Sequence, residues 1–166
     1  GIERGQLGSL LDHTGPIADS EAYAARVFGA HRSYNVVGGT SESNRTIWQA
    51  CLKDGDIAVC DRNCHKSIEQ GLMLTGALPV YMVPTRNRYG IIGPIHPEEM
   101  TRETIDQKIA DSPLTEEAAG KEPRYAVLTN CTYDGLCYNA AEAQDLLRSE
   151  ERRVGKDVDL GGRRII

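Results

Sequence analysis

The sequence predicts an α/β fold built on a mainly parallel sheet with helices on both faces. Three observations carry this. Short β-prone runs alternate with amphipathic stretches across residues 20–147, and that alternation demands crossover connections between parallel strands. Ile57-Ala58-Val59-Cys60 is apolar without interruption, as a strand covered on both faces should be. Glycines stand where helices would stop, at Gly29 and Gly76.

Taken in order, Ser20 is expected to cap a helix through Phe28, with an apolar stripe at Tyr23, Ala24, Val27 and Phe28. Residues 32–37 read as a short strand running into the turn Gly38-Gly39-Thr40-Ser41, and Glu42–Leu52 as the helix that follows. Gly55-Asp56 turns into the strand Ile57–Cys60, and a polar stretch, Asp61–Ser67, leads to a helix over Ile68–Thr75. Pro79–Val83 is the next strand, and Pro84–Pro97 a long exposed connection rich in Pro, Gly, Asn and Arg. Thr101 caps a helix through Ile105 and Ile109. A polar loop over Pro113–Pro123, a fourth strand at Tyr125–Leu128, a turn-rich segment over Thr129–Asn139 and a helix at Ala140–Leu147 complete the pattern.

At 166 residues the chain is about one domain, and 40% hydrophobic with 26% charged residues describes a globular, soluble protein. No apolar run approaches the roughly 18 residues that span a bilayer, so no membrane role is expected. The chain opens at Gly1 with neither Met nor a charged-then-apolar leader, which suggests a missing start and no secretory signal. A net charge of −5 has the wrong sign for a phosphate backbone, so nucleic acid is not an expected partner. Five cysteines at irregular spacing fit reduced thiols in the cytoplasm better than a disulfide framework. Cys60, Cys64 and His65 come nearest to a metal set, but they lack the second half a zinc site needs, and no metal is expected.

Residues 148–166 differ in texture, with ten charged residues and no complete amphipathic period. They resemble a translated sequencing adapter, so a non-native tail is expected there, testable by reading the coding DNA across Leu147. Six of the 19 basic and four of the 24 acidic residues lie in it, which leaves 13 and 20 in residues 1–147, a net −7.

Ligands of open parallel sheets bind beyond the carboxyl ends of the strands. Two segments stand there. Gly38-Gly39-Thr40-Ser41 offers unhindered backbone N–H groups, two hydroxyls and a helix N-terminus, a suitable cradle for a phosphate. Its glycine spacing matches neither the dinucleotide fingerprint nor the P-loop, and an ordinary strand-to-helix turn explains the residues equally well. His65, on the same rim, could stack on a ring or move a proton, although a structural histidine is the commoner finding in such a loop. Lys66 could be a Schiff-base nucleophile only if desolvated, and a solvated lysine is the simpler reading. Turn or helix capping accounts for Asp61 and Asp134.

Five separated stretches then carry a family resemblance: Leu7–Gly15, Gly39–Ser41, Asp61–Ser67, Pro84–Gly90 and Thr132–Gly135. Together they resemble the bacterial Orn/Lys/Arg decarboxylases that use pyridoxal 5′-phosphate, and the resemblance spans residues 1–147. Ser43–Ile47 and Gln70–Gly76 look most like the acid-inducible, biodegradative arginine branch, whose part in acid resistance they would share. The resemblance implies the first part of a fold type I, aspartate aminotransferase-like large domain. It implies that Gly39, Thr40 and Ser41 hold the cofactor phosphate and that His65 covers the pyridine ring. It also implies conversion of arginine to agmatine and CO₂ by a cytoplasmic homo-oligomer. Lysine or ornithine as substrate, or a non-catalytic phosphate-binding α/β module, are the alternatives. The family's Schiff-base Lys belongs to a later Ser-x-His-Lys motif that the chain lacks, as it lacks the acid that pairs with the pyridine nitrogen. No catalytic residue is therefore expected among residues 1–147, nor activity from them alone, and exposed sheet edges are expected to favour aggregation.

Overall fold

A single strand organises the fold. In the computed structural model, which describes residues 4–147, all five residues of β1 (Ile57–Asp61) are buried. β1 is flanked in parallel by β2 (Leu78–Met82) and β3 (Tyr125–Val127), giving the order β2-β1-β3. Ile57 pairs with Leu78 on one side, while Ala58 pairs with Tyr125 on the other. Alternation along β1 sends Ile57 and Val59 to one face and Ala58 and Cys60 to the other.

Each face is covered by helices. α3 (Gly39–Cys51) and α4 (Lys66–Thr75) lay Trp48, Ile68 and Leu72 over Ala58 and Cys60. α5 (Arg102–Asp111) and α6 (Ala140–Leu147) bring Ile105, Ile109 and Ala143 to the opposite side, against Val59, Val80 and Met82. The crossover from β1 to β2 runs through α4 on one face, and that from β2 to β3 through α5 on the other. Opposite directions on opposite faces keep both crossovers of one hand, as right-handed twist requires. The chain passes outward from β1 to β2 and then back across β1 to β3, so the crevice between the carboxyl ends of β1 and β3 lies where the strand order switches sides.

The outer edge of β2 is closed by side chains. Pairing with β1 leaves Pro79, Tyr81 and Val83 facing outward; Pro79 has no N–H to offer, which an edge strand tolerates. The Tyr81 carbonyl accepts from Lys108 Nζ at 2.9 Å, and the Val83 N–H donates to Glu99 at 2.7 Å. Lys108 and Glu99 also bond each other.

Contacts divide the described residues into two units, 4–39 and 40–147. The first holds α1 (Arg4–Leu7) and α2 (Gly15–Phe28). α2 begins five residues before the expected Ser20 cap, because Thr14 occupies the N-cap position and Pro16 fits the first turn. Its end at Gly29, φ 62°, is where the sequence indicated. The expected strand over residues 32–37 does not form. The Asn35 N–H donates instead to the Glu21 carboxylate at 2.9 Å, and Val37 is 81% exposed, so that segment finds neither a ladder nor a core. The Asn35 bond, aided by His13, holds the buried Glu21 carboxyl below its usual range against the opposing effect of burial.

The remaining elements follow the expected order with ends shifted by a few residues. Between them, a short 3-10 turn at Pro97–Met100 precedes α5, and Thr101 caps α5 by accepting from the Thr104 N–H. The segment expected to be a foreign tail, 148–166, lies outside the described residues.

Candidate functional site

Gly39, Thr40 and Ser41 form the first turn of α3 rather than a loop leading into it. The expected strand before them is absent, so this helix end stands on the rim without a strand feeding it. Gly39 takes φ 70°, a left-handed backbone costly for other residues, and a Cβ there would meet open space. The backbone, not crowding, asks for glycine. Thr40 is exposed and Ser41 half-buried. The Gly39 N–H donates to the Val36 carbonyl at 3.2 Å, and the positive end of the helix dipole lies at this turn, which suits an anion.

His65 caps α4 directly after the β1 rim. Its Nδ1 accepts from the Ser67 N–H at 3.2 Å and lies 2.9 Å from the Ser67 hydroxyl. A nitrogen that accepts a backbone N–H cannot carry the proton, so the neutral ring is protonated at Nε2. Ser67 is fully buried, and its hydroxyl also receives a hydrogen bond from Asn44 Nδ2 at 2.8 Å. Asn44 lies one helical turn beyond Thr40 and Ser41 on the same side of α3. The chain Asn44 to Ser67 to His65 therefore brings the N-terminal turns of α3 and α4 together. Sequence reasoning did not assign Asn44 or Ser67, whose contact spans 23 residues. A Ser two places after a capping His was the only local hint.

Close packing fixes the two helices. A Cβ added at Gly71 of α4 would lie 2.6 Å from ring atoms of Trp48 on α3, so only glycine allows this approach. The Trp48 ring also meets Tyr125 edge-on, with centroids 5.4 Å apart.

The other candidates fall into structural roles. Asp61 is buried; its Oδ1 accepts from the Asn63 N–H at 2.7 Å and its Oδ2 from the Thr129 N–H at 3.2 Å, stitching the ends of β1 and β3 together. Lys66 is exposed, in a setting that gives an amine no desolvation. Burial pushes the Cys60 thiol up to about 12 and raises Cys64, with Asp61 adding to both, so neither is poised as a thiolate ligand. The motif loops Pro84–Gly90 and Thr132–Gly135 meet across a hollow of about 420 Å³, lined by Thr85, Arg86, Ile92, Asp134 and Leu136 among others.

The chain matches the family described as "Orn/Lys/Arg decarboxylase, major domain" over residues 1–162. It belongs to the Orn/Lys/Arg decarboxylase family. The matched span runs past Leu147 into the segment with altered texture. Among relatives of this decarboxylase-family chain, the biodegradative arginine decarboxylase of Escherichia coli K12 is 69% identical over 157 residues, 95% of the chain and 21% of the relative. The solved lysine decarboxylase A of Pseudomonas aeruginosa superposes with TM-score 0.78 at 50% identity, covering 89% of the chain and 19% of its own length. The chain thus spans about a fifth of the length of these relatives. A solved structure of SPT with PLP matches at TM-score 0.59 and 19% identity, over 87% of the chain and 32% of SPT, a likeness of fold alone. Among the described residues, no helix is long and apolar enough to cross a membrane.

Proposed function

We propose that the chain is the first part of the fold type I major domain of a pyridoxal 5′-phosphate-dependent arginine decarboxylase, which makes agmatine and CO₂. The observation that carries this reading is the linkage from Asn44 through buried Ser67 to His65, which sets an anion-suited helix end beside a held, exposed imidazole. A phosphate monoester joined to a flat heterocycle fits that pair of features.

In this reading Gly39, Thr40 and Ser41 hold the phosphate. A hydrogen bond to a charged group contributes about 1.5–3 kcal/mol, against about 0.3–1 kcal/mol for an exposed helix dipole. The hydroxyls therefore dominate affinity, and the helix end directs the phosphate. The His65 imidazole, held at Nδ1, covers one face of the ring and keeps water from it. When bound, the coenzyme supplies a conjugated ring that accepts the electron pair freed as the carboxylate leaves. The amine-bearing group for that chemistry belongs to the Ser-x-His-Lys motif, which residues 1–147 lack, so purified residues 1–147 should turn over no arginine.

Arginine is favoured by the 69% identity to an arginine enzyme against 53% to a lysine enzyme. The whole enzyme is proposed to be a cytoplasmic homo-oligomer. The test is the full-length gene product with coenzyme, assayed on arginine, lysine and ornithine. The highest kcat/KM on arginine is expected. Preference for lysine or ornithine would replace the substrate within the same reading, and turnover of none would overturn the reading itself.

A further inference from the structure

The segment after β3 carries two thiols that cofactor binding leaves unused. Cys131 and Cys137 face each other as an antiparallel pair, with their sulfurs 3.4 Å apart and both residues exposed. The flanking bonds run from the Thr132 N–H to the Leu136 carbonyl and from the Tyr138 N–H to the Asn130 carbonyl. That pattern makes Cys131 and Cys137 a non-hydrogen-bonded pair, the register in which side chains approach most closely, with Cα atoms about 4.5 Å apart. A disulfide tolerates Cα separations of about 4.4–6.8 Å, so this register admits one.

Both arms of the hairpin are pinned. Thr129 N–H donates to Asp61 at the end of β1, and the Ile95 N–H donates to the Tyr138 hydroxyl at 2.8 Å. The sulfurs are held facing one another, and bonding requires them to close from 3.4 Å to about 2.05 Å.

We propose that Cys131 and Cys137 are a redox modification site, forming a reversible intramolecular disulfide across the Thr132–Leu136 turn. The oxidant is a small disulfide of the glutathione class. One protein thiolate attacks it, forming a mixed disulfide and releasing one thiol; the second cysteine loses its proton and attacks the bonded protein sulfur, releasing the other. Two protein sulfurs are oxidised and one oxidant disulfide is reduced to two thiols. The Cys137 thiol donates to the Cys131 sulfur, a contact that raises the Cys137 thiol. The bond locks the turn that carries Asp134 and Leu136 to the hollow opposite Thr85 and Arg86. It is independent of the coenzyme reading.

The test treats the full-length gene product with oxidised glutathione, then alkylates free thiols and digests with trypsin. Arg124 precedes a stretch with no Lys or Arg before position 148, so one peptide carries both cysteines. That peptide is expected to be lighter by two hydrogens and unalkylated, to regain both thiols on reduction, and to coexist with alkylated Cys51. In Cys131→Ser, Cys137 should carry glutathione instead. Full alkylation of both cysteines in the oxidised wild type, stable glutathione adducts on either, or a crosslink from either to another cysteine would each overturn the proposal.

Discussion

The two faces of the sheet are made by alternate residues of β1, yet they carry different loads. On the face of Ala58 and Cys60, the covering helices begin with the residues assigned to the ligand, so packing and site are one structure: Trp48 against Gly71 sets the helix approach that Asn44 and Ser67 use. On the face of Ile57 and Val59, α5 and α6 supply a core and an edge seal, and no residue assigned to the coenzyme lies there. Stability and binding should thus be coupled on one side of the sheet and separable on the other.

The strongest attempt to break that contrast is Trp48→Ala in the full-length enzyme. Removing a fully buried indole should cost about 3–5 kcal/mol in urea unfolding, and the coenzyme, followed by its visible absorbance, should bind more weakly as well. The indole Nε1 has no hydrogen-bond partner among the described residues, so the loss is one of packing. Ile109→Ala on the opposite face should cost about 2–5 kcal/mol while leaving coenzyme affinity unchanged; a parallel loss of affinity would erase the distinction between faces. Ser67→Ala reverses the pattern. It should lower stability by only about 1 kcal/mol, yet weaken coenzyme binding, because His65 loses its hydroxyl contact and Asn44 its acceptor.

The smallest effect is expected from acid. Burial would raise the Glu99 carboxyl, but the Lys108 ammonium and the Val83 N–H outweigh it and hold the group below its usual range. With the folded value below the unfolded one, near about 4.3, the contribution is complete above that pH and disappears as pH falls through the folded value. Glu99→Gln should flatten this acid limb by less than about 1 kcal/mol, without changing the coenzyme's spectrum.

Features set by one or two neighbouring residues were legible in the sequence. Gly29 and Gly76 end their helices in left-handed conformations, and Thr101 caps α5. The unbroken apolar run of β1 announced a strand buried on both sides. Val36 and Val37 misled because β-propensity has meaning only beside a partner strand, and the Glu21 carboxylate took the Asn35 N–H first. The turn before α3 was visible in Gly38 and Gly39, although the helix begins at Gly39, three residues before the expected Glu42. Its neighbour His65 was visible too, but the Asn44 and Ser67 bond between their helices was not, since it depends on how closely α4 approaches α3. The Cys131 and Cys137 pairing was hidden for a similar reason: spacing alone does not reveal a hairpin register.

The sealed flank of β2 gives the sheet a polarity of growth. With Pro79 lacking a donor, Tyr81 occupied by Lys108 and Val83 by Glu99, an arriving strand would find little main chain to zip onto on that bank. Lengthening of the sheet, whether by correct assembly or by accidental recruitment of a stray polypeptide, is thereby steered to the β3 bank.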